Sequence, residues 1–238
     1  MKLKVENVEK NFKSNKILNS ISFNIKQSEI VGVIGPSGAG KTTLIKIIMG
    51  MEKADNGLVE LLGYKIPNRE VLGKIGYMAQ ADALYLDLSA KENLKFFGQM
   101  YLVPKKELVD RIKYLAKLLN LEDHLNKKVK SFSGGMKRRL SLALTLLQNP
   151  EFLILDEPTV GIDPQLRLDI WEELNKFKAK GKSILVTTHV MDEAEKCDRI
   201  ILLGNGEILE DGSPKELKDK YGVASVEEVF LKVGSEKE

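Results

Sequence analysis

Three patterns of apolar and polar residues follow one another along the 238-residue chain, and each predicts a different element. "LKVENV" and "ISFNI" place apolar residues at every second position, the period of a strand with one buried face. "EIVGVI" is an apolar run that fits a buried strand. Residues 3–34 therefore read as short strands. A helix follows from about Lys41 to Met49 and stops at Gly50. "LVELL" and "KIGYMA" are two further short strand candidates. From Asp87 the period lengthens. Ser89 with Glu92 three residues on has the spacing of a capping box. Helical spacing then runs through "KENLKFFGQMYL" and "KKELVDRIKYLAKLLNL", predicting nearly continuous helix to Asn149.

Beyond that stretch "EFLILDEP" is a buried strand ending in two carboxylates. "DPQLRLDIWEELNKFKAKG" is a helix opened by Asp163-Pro164 and closed by Gly181. "KSILVTTH" is another apolar strand, and "RIILLGNGEILEDG" a hairpin turning at Asn205-Gly206. The tail from Pro214 reads as helical, charged and peripheral. Strands alternating with helices predict an α/β domain with a largely parallel, covered sheet, and the helical stretch reads as an insertion in it.

Composition narrows the setting. At 43% hydrophobic and 30% charged the chain reads as soluble and globular. A net charge of +3 lacks the concentrated basic face that nucleic acid requires, so no nucleic-acid partner is expected. The single cysteine, Cys197, excludes a disulfide framework and suits a reducing cytosol. No apolar run approaches the roughly 18–20 residues that span a bilayer. "MKLKVENVEK" has no apolar signal core, so no export signal is expected. Work at a membrane would need something else to anchor it.

The candidate chemistry begins at "GPSGAGKT", which fits G-x-x-x-x-G-K-[ST] in full between an apolar strand and a helix. Gly35, Pro36, Ser37, Gly38, Ala39 and Gly40 form a loop whose backbone N–H groups curl around a phosphate. Lys41 reaches the β- and γ-phosphates, Thr42 offers a hydroxyl to Mg²⁺, and Thr43 follows in the same cradle. The helix N-terminus favours the same anion. The motif specifies a nucleoside triphosphate and leaves open what the energy does.

Asp156 and Glu157 end a buried strand, where α/β folds place ligands. Asp156 is the natural Mg²⁺ partner, and Glu157, leaving the strand before Pro158, can turn to polarise an attacking water. Two solvated acids at a strand end is the alternative. His189 ends "SILVTTH" and can touch the γ-phosphate or orient the water, whereas His124 reads as a surface residue. Gln80, at the end of "KIGYMA", can reach Mg²⁺ or water, and alone is an ordinary polar residue. Trp171 reads as core and Cys197 as an inert thiol.

"KSFSGGMKRRLSLAL" sets Ser133, Gly134 and Gly135 ahead of a helix, a second anion-ready helix start with no lysine motif attached. These pieces, in this order, resemble the ATP-binding cassette (ABC) ATPases over essentially the whole chain. "GPSGAGKT" looks like Walker A, Gln80 like the Q-loop glutamine, "FSGGM" like the family signature, "FLILDE" like Walker B with its glutamate, "GIDP" with Asp163 like the D-loop, and His189 like the switch histidine. The resemblance implies a P-loop NTPase with a mostly parallel core sheet, an N-terminal antiparallel β part and an inserted helical subdomain. It places the nucleotide-binding domain at 1–215, with the subdomain about 82–149 and a peripheral tail over 216–238.

It also implies ATP and Mg²⁺ as cofactors, with Thr42, Gln80 and Asp156 toward the metal and Glu157, His189 and Lys41 as catalytic residues. A second ABC ATPase subunit, identical or not, would pair head to tail, so that Ser133, Gly134 and Gly135 hold the partner's ATP. The helix behind them is expected to start near Met136. Phe12 sits where the family keeps an aromatic that stacks on adenine; plain core is the alternative. Met136, where many members have glutamine, and the ending "SVEEVFLKV" resemble a branch of drug, antibiotic and lipid-like exporters. In that branch the ATPase is a separate chain on the cytoplasmic face, held by a separate transmembrane permease. A soluble ABC ATPase acting on DNA or ribosomes is the alternative; it usually carries two cassettes, coiled coils or zinc insertions. The signature argues against a GTPase or small kinase, and intact Glu157 and His189 against a non-catalytic cassette.

Overall fold

The computed structural model describes residues 1–81 and 83–235. Its strands are β1 (Leu3–Phe12), β2 (Asn15–Ile25), β3 (Ile30–Ile34), β4 (Asn56–Leu61), β5 (Tyr64–Lys65), β6 (Ile75–Met78), β7 (Phe152–Asp156), β8 (Ser183–Thr188), β9 (Arg199–Gly204) and β10 (Glu207–Gly212). Its α-helices are α1 (Lys41–Ile48), α2 (Ala90–Met100), α3 (Lys105–Leu118), α4 (Gly134–Leu147), α5 (Pro164–Ala179), α6 (Met191–Ala194), α7 (Pro214–Tyr221) and α8 (Val226–Ser235). They form two sheets among the described residues: an antiparallel one ordered β2-β1-β4-β5, and a core one ordered β10-β9-β3-β8-β7-β6. The core sheet is parallel from β9 to β6, with β10 antiparallel at its edge.

Every residue of β3, β7 and β8 is buried, as continuous apolar strands require. The period of two divides them between two cores. Leu153, Leu155, Ile184 and Val186 face the layer of α4 and α5. Phe152, Ile154, Val31 and Val33 face α1 and the antiparallel sheet. The core sheet is thus covered on both sides, and the C-terminal ends of β3, β7 and β8 converge on one edge. The β9–β10 hairpin turns at Asn205 and Gly206, both left-handed (φ 49° and 77°), as the Asn-Gly pair predicts.

The helical insertion is less continuous than its periodicity predicts. Between α3 and α4 only two short 3-10 turns interrupt irregular chain, at Glu122–His124 and Val129–Ser131. That segment folds back on the start of α2: Lys91 N–H donates to the Leu125 carbonyl at 2.8 Å and Val129 N–H to the Leu88 carbonyl at 2.9 Å. Tertiary backbone bonds replace the helical ladder there. The Ser89–Glu92 capping box is present in full. The tail is helical and charged, and it is docked on its apolar side. Leu217, Val226, Val229 and Val233 are buried in the same core as α5, and the Val226 N–H donates to Glu195 at 2.9 Å.

Candidate nucleotide site

The loop after β3 is shaped by its glycines. A Cβ on Gly35 would lie 2.2 Å from the Leu203 carbonyl oxygen, so only glycine fits against β9. Gly38 and Gly40 are left-handed (φ 84° and 103°), and Gly40 caps α1, which starts at Lys41. Ala39 is buried and donates its N–H back to Pro36 at 3.2 Å, closing the turn. The Lys41 ammonium donates to the Gly35 and Pro36 carbonyls at 2.7 and 3.0 Å. Its partial burial pushes its pKa down, against the upward pull of Glu157 and Asp156.

An open cavity of about 430 Å³ joins this loop to the sheet edge, lined by Ser37, Gly38, Gly40, Lys41, Thr42, Thr43, Gln80 and Glu157 together with Ile17. Asp156, the last residue of β7, is 2% exposed. One of its oxygens accepts from the Thr187 hydroxyl at 2.5 Å, and the other, Oδ2, has no hydrogen-bond partner. Burial raises its pKa, with Thr187 acting the other way. A buried carboxylate oxygen without a donor fits a hard cation. No group of three or more acidic, histidine or cysteine side chains among the described residues gathers around a metal site.

Glu157 sits in the left-handed region at φ 52°, uncommon for a non-glycine residue. Its N–H is fixed by the Thr187 carbonyl and hydroxyl, both at 3.1 Å. The kink turns its carboxylate away from the strand toward the cavity. There Oε1 lies 3.0 Å from His189 Nδ1, and Oε2 accepts from Gln80 Nε2 at 3.4 Å. Residues just past the ends of β6, β7 and β8, distant in sequence, thereby meet at the Glu157 carboxylate.

Other expected site residues stand apart from this cavity. α4 starts at Gly134, earlier than the expected start near Met136, because Ser133 is the N-cap and accepts from the Met136 N–H at 3.2 Å. Asp163 caps α5, accepting from the Leu166 N–H at 3.0 Å. Ser133, Gly134, Gly135 and Asp163 do not line the cavity. Phe12, at the end of β1, is 47% exposed, so its reading as core is overturned. Trp171 is buried, as predicted.

Sequence reasoning missed two organising residues. Arg138 on α4 is buried, and its guanidinium donates to the carbonyls of Ala79 (2.7 Å), Gln80 (3.1 Å), Glu157 (2.7 Å) and Asp156. It ties the helix behind Ser133 to the backbones that carry Gln80 and Glu157. Glu193, 1% exposed, accepts from the Thr159 hydroxyl and, at 2.6 Å, from the Thr188 hydroxyl. It locks the segment leading to Asp163 against the strand end that carries His189. In "MKRRL" and "MDEAE" both look like solvated charges; only their apolar neighbours on the same helices hint at burial.

A lysine loop at a helix start, a metal-ready aspartate, and a glutamate held between a glutamine and a histidine define a P-loop nucleoside triphosphatase of the cassette type. The ABC transporter family model matches residues 18–160, and the chain belongs to that family. It has the ABC ATPase fold and is an ATP-binding subunit whose hydrolysis of ATP is coupled to transport. Among its relatives, Nod factor export ATP-binding protein I of Rhizobium meliloti is 40% identical over 95% of this chain and 68% of its own length. The protein of that name from Burkholderia lata is 39% identical over 94% of this chain and 75% of its own length. Among solved structures, an ATP-binding subunit of an ABC transporter superposes with a TM-score of 0.92 at 29% identity, covering 98% of this chain and all of that one. A dimeric bacterial ABC transporter cassette, MJ0796, superposes at 0.81 and 30% identity, covering 89% and 98%.

Proposed function

We propose that this chain is the motor of an exporter, pairing head to tail with a second cassette and driving a separate transmembrane permease. The observation that carries the reading is the division of the machinery. Lys41, Thr42, Gln80 and Glu157 converge on one cavity, while Ser133, Gly134 and Gly135 lie outside it. A second subunit, as in the dimeric MJ0796 cassette, supplies its own Ser133 helix start to complete the site.

Lys41 binds the β- and γ-phosphates. Thr42, Gln80 and Asp156 would hold Mg²⁺, which would supply positive charge to the phosphate oxygens. Glu157 accepts a proton from, and aligns, the attacking water, and His189 holds the Glu157 carboxylate in that position. As the water oxygen bonds to the γ-phosphorus, the bond to the β–γ bridging oxygen breaks and ADP leaves; the partner's Ser133 and Gly134 backbone stabilise charge on the γ-phosphoryl group in transfer. Because the site closes only around ATP, hydrolysis releases the pair.

The permease surface adjoins the same machinery. Met51, Tyr85 and Phe96 are large apolar residues 42–59% exposed; Met51 lines a groove of about 250 Å³ next to the Gln80 segment, and the rings of Tyr85 and Phe96 pack on Phe97 in its wall. We read this exposed apolar surface as a docking site. A helix of the permease seated there feels Gln80 move. Among the described residues no helix is long and apolar enough to cross a membrane. In this reading the permease holds the chain at the cytoplasmic face. The cargo is drug-like, antibiotic or lipid-like, in keeping with Met136 and with relatives named for Nod factor export. A mild-detergent pull-down from native membranes tests this: a polytopic exporter permease is expected. Soluble ribosomal or DNA-repair partners alone would overturn transport.

A further inference from the structure

Lys10 is 8% exposed, unusual for a lysine, and its surroundings explain the burial. Its ammonium meets Glu52 at 2.7 Å, the Lys53 carbonyl at 2.9 Å and Asp55 at 3.5 Å, all in the segment after α1. The hydrogen bond to Glu52 raises its pKa, so it stays charged. The same ammonium lies over the ring of Phe12, 5.0 Å from the centroid. Asn11, between them, donates its backbone and side-chain N–H groups to Asp55 at 2.6 and 3.0 Å. The end of β1 is thereby fastened to the chain that leaves the lysine-loop helix. Phe12 itself pairs with Asn15, two residues before the cavity-lining Ile17.

We propose that Lys10 is a positioning residue for purine recognition: it holds one face of the Phe12 ring so that the other face is presented to adenine. The inference rests on the reading of Phe12 as the stacking aromatic. The physical effect is twofold. A cation on one face draws π-density from the ring and favours stacking of an electron-rich purine on the opposite face. A ring already held in one orientation loses less freedom when the base arrives. Lys10 touches neither phosphate nor the reacting atoms, so its effect falls on affinity for the base and turnover at saturating ATP is retained.

The test measures equilibrium binding of radiolabelled ATP in the presence of Mg²⁺, with inorganic tripolyphosphate as a competitor that has phosphates and no base. Phe12→Ala is expected to weaken ATP roughly tenfold, the cost of one lost base stack. Lys10→Met is expected to weaken ATP roughly threefold, the scale of one exposed cation–π contact. Neither should change the tripolyphosphate constant. Lys10→Arg, which keeps the cation and the acidic partners, should restore ATP affinity, and the double variant should bind no worse than Phe12→Ala alone. If Phe12→Ala weakens ATP and Lys10→Met does not, the role of Lys10 is overturned while the adenine reading stands. If Phe12→Ala has no effect, both fall. Equal loss of ATP and tripolyphosphate in Lys10→Met would mean that it acts through the fold, and would also overturn the proposal.

Discussion

A Cβ on Gly135 would stand 2.7 Å from the carbonyl oxygen of Gly161, whereas one on Gly134 would meet nothing within 4 Å. The two adjacent signature glycines therefore do different things. Gly135 lets α4 touch the loop that precedes α5, inside one subunit. Gly134 leaves an open surface for whatever approaches from outside.

Gly135→Ala is thus expected to destabilise the nucleotide-free subunit by about 1–3 kcal/mol, the usual cost of overpacking. Gly134→Ala should leave its melting temperature unchanged or slightly raised, since alanine favours a helix, and should impair ATP-driven pairing. Calorimetry without nucleotide and gel filtration with ATP separate the two. Equal melting temperatures would contradict the assignment.

Glu157→Gln keeps the shape of the side chain and removes the proton acceptor. Hydrolysis should fall by about 100-fold or more, while ATP binding persists and the pair accumulates unhydrolysed. Light scattering with Mg·ATP reads the dimer directly. Turnover like that of the unaltered protein would remove Glu157 from the role of base.

Arg138→Lys replaces a planar fork that reaches four carbonyls with a single ammonium. Buried carbonyls left without donors should lower stability by about 1–3 kcal/mol in urea unfolding. Because those carbonyls belong to the Gln80 and Asp156–Glu157 backbones, turnover should fall further than nucleotide affinity. An unaltered midpoint would show that the clamp contributes little.

Cys197 is 5% exposed, and burial pushes its thiol pKa well above the ordinary value. The sign is clear: at pH 8 the folded protein holds the protonated, unreactive thiol, and unfolding releases it. A disulfide reagent should label Cys197 only in denaturant. Rapid labelling of the native subunit would contradict its inert role.

Much of the fold was legible because buried strands and capped helices leave local marks. The β3 and β7 runs, the Asn205-Gly206 turn and the Ser89–Glu92 box all declare themselves within a few residues. The irregular chain between α3 and α4 did not, because its backbone bonds go to residues some forty positions away, such as Val129 to Leu88. The docked face of the tail was hidden among its lysines and glutamates, though Val226, Val229 and Val233 keep helical spacing. In the site, Lys41, Asp156 and Glu157 stood out by motif. Arg138 and Glu193 did not, since a buried charge and a solvated one look alike until their partners are known.

The central claim is that each ATP lies between Lys41 of one subunit and Ser133 of the other. Subunit mixing tests it most directly. Lys41→Ala and Ser133→Arg proteins should each be inactive alone. Mixed, they form a heterodimer in which one site joins an intact Lys41 to an intact Ser133, and ATP hydrolysis should return. If the mixture stays as inactive as its components while still pairing, the signature does not act across the interface, and the head-to-tail account is wrong.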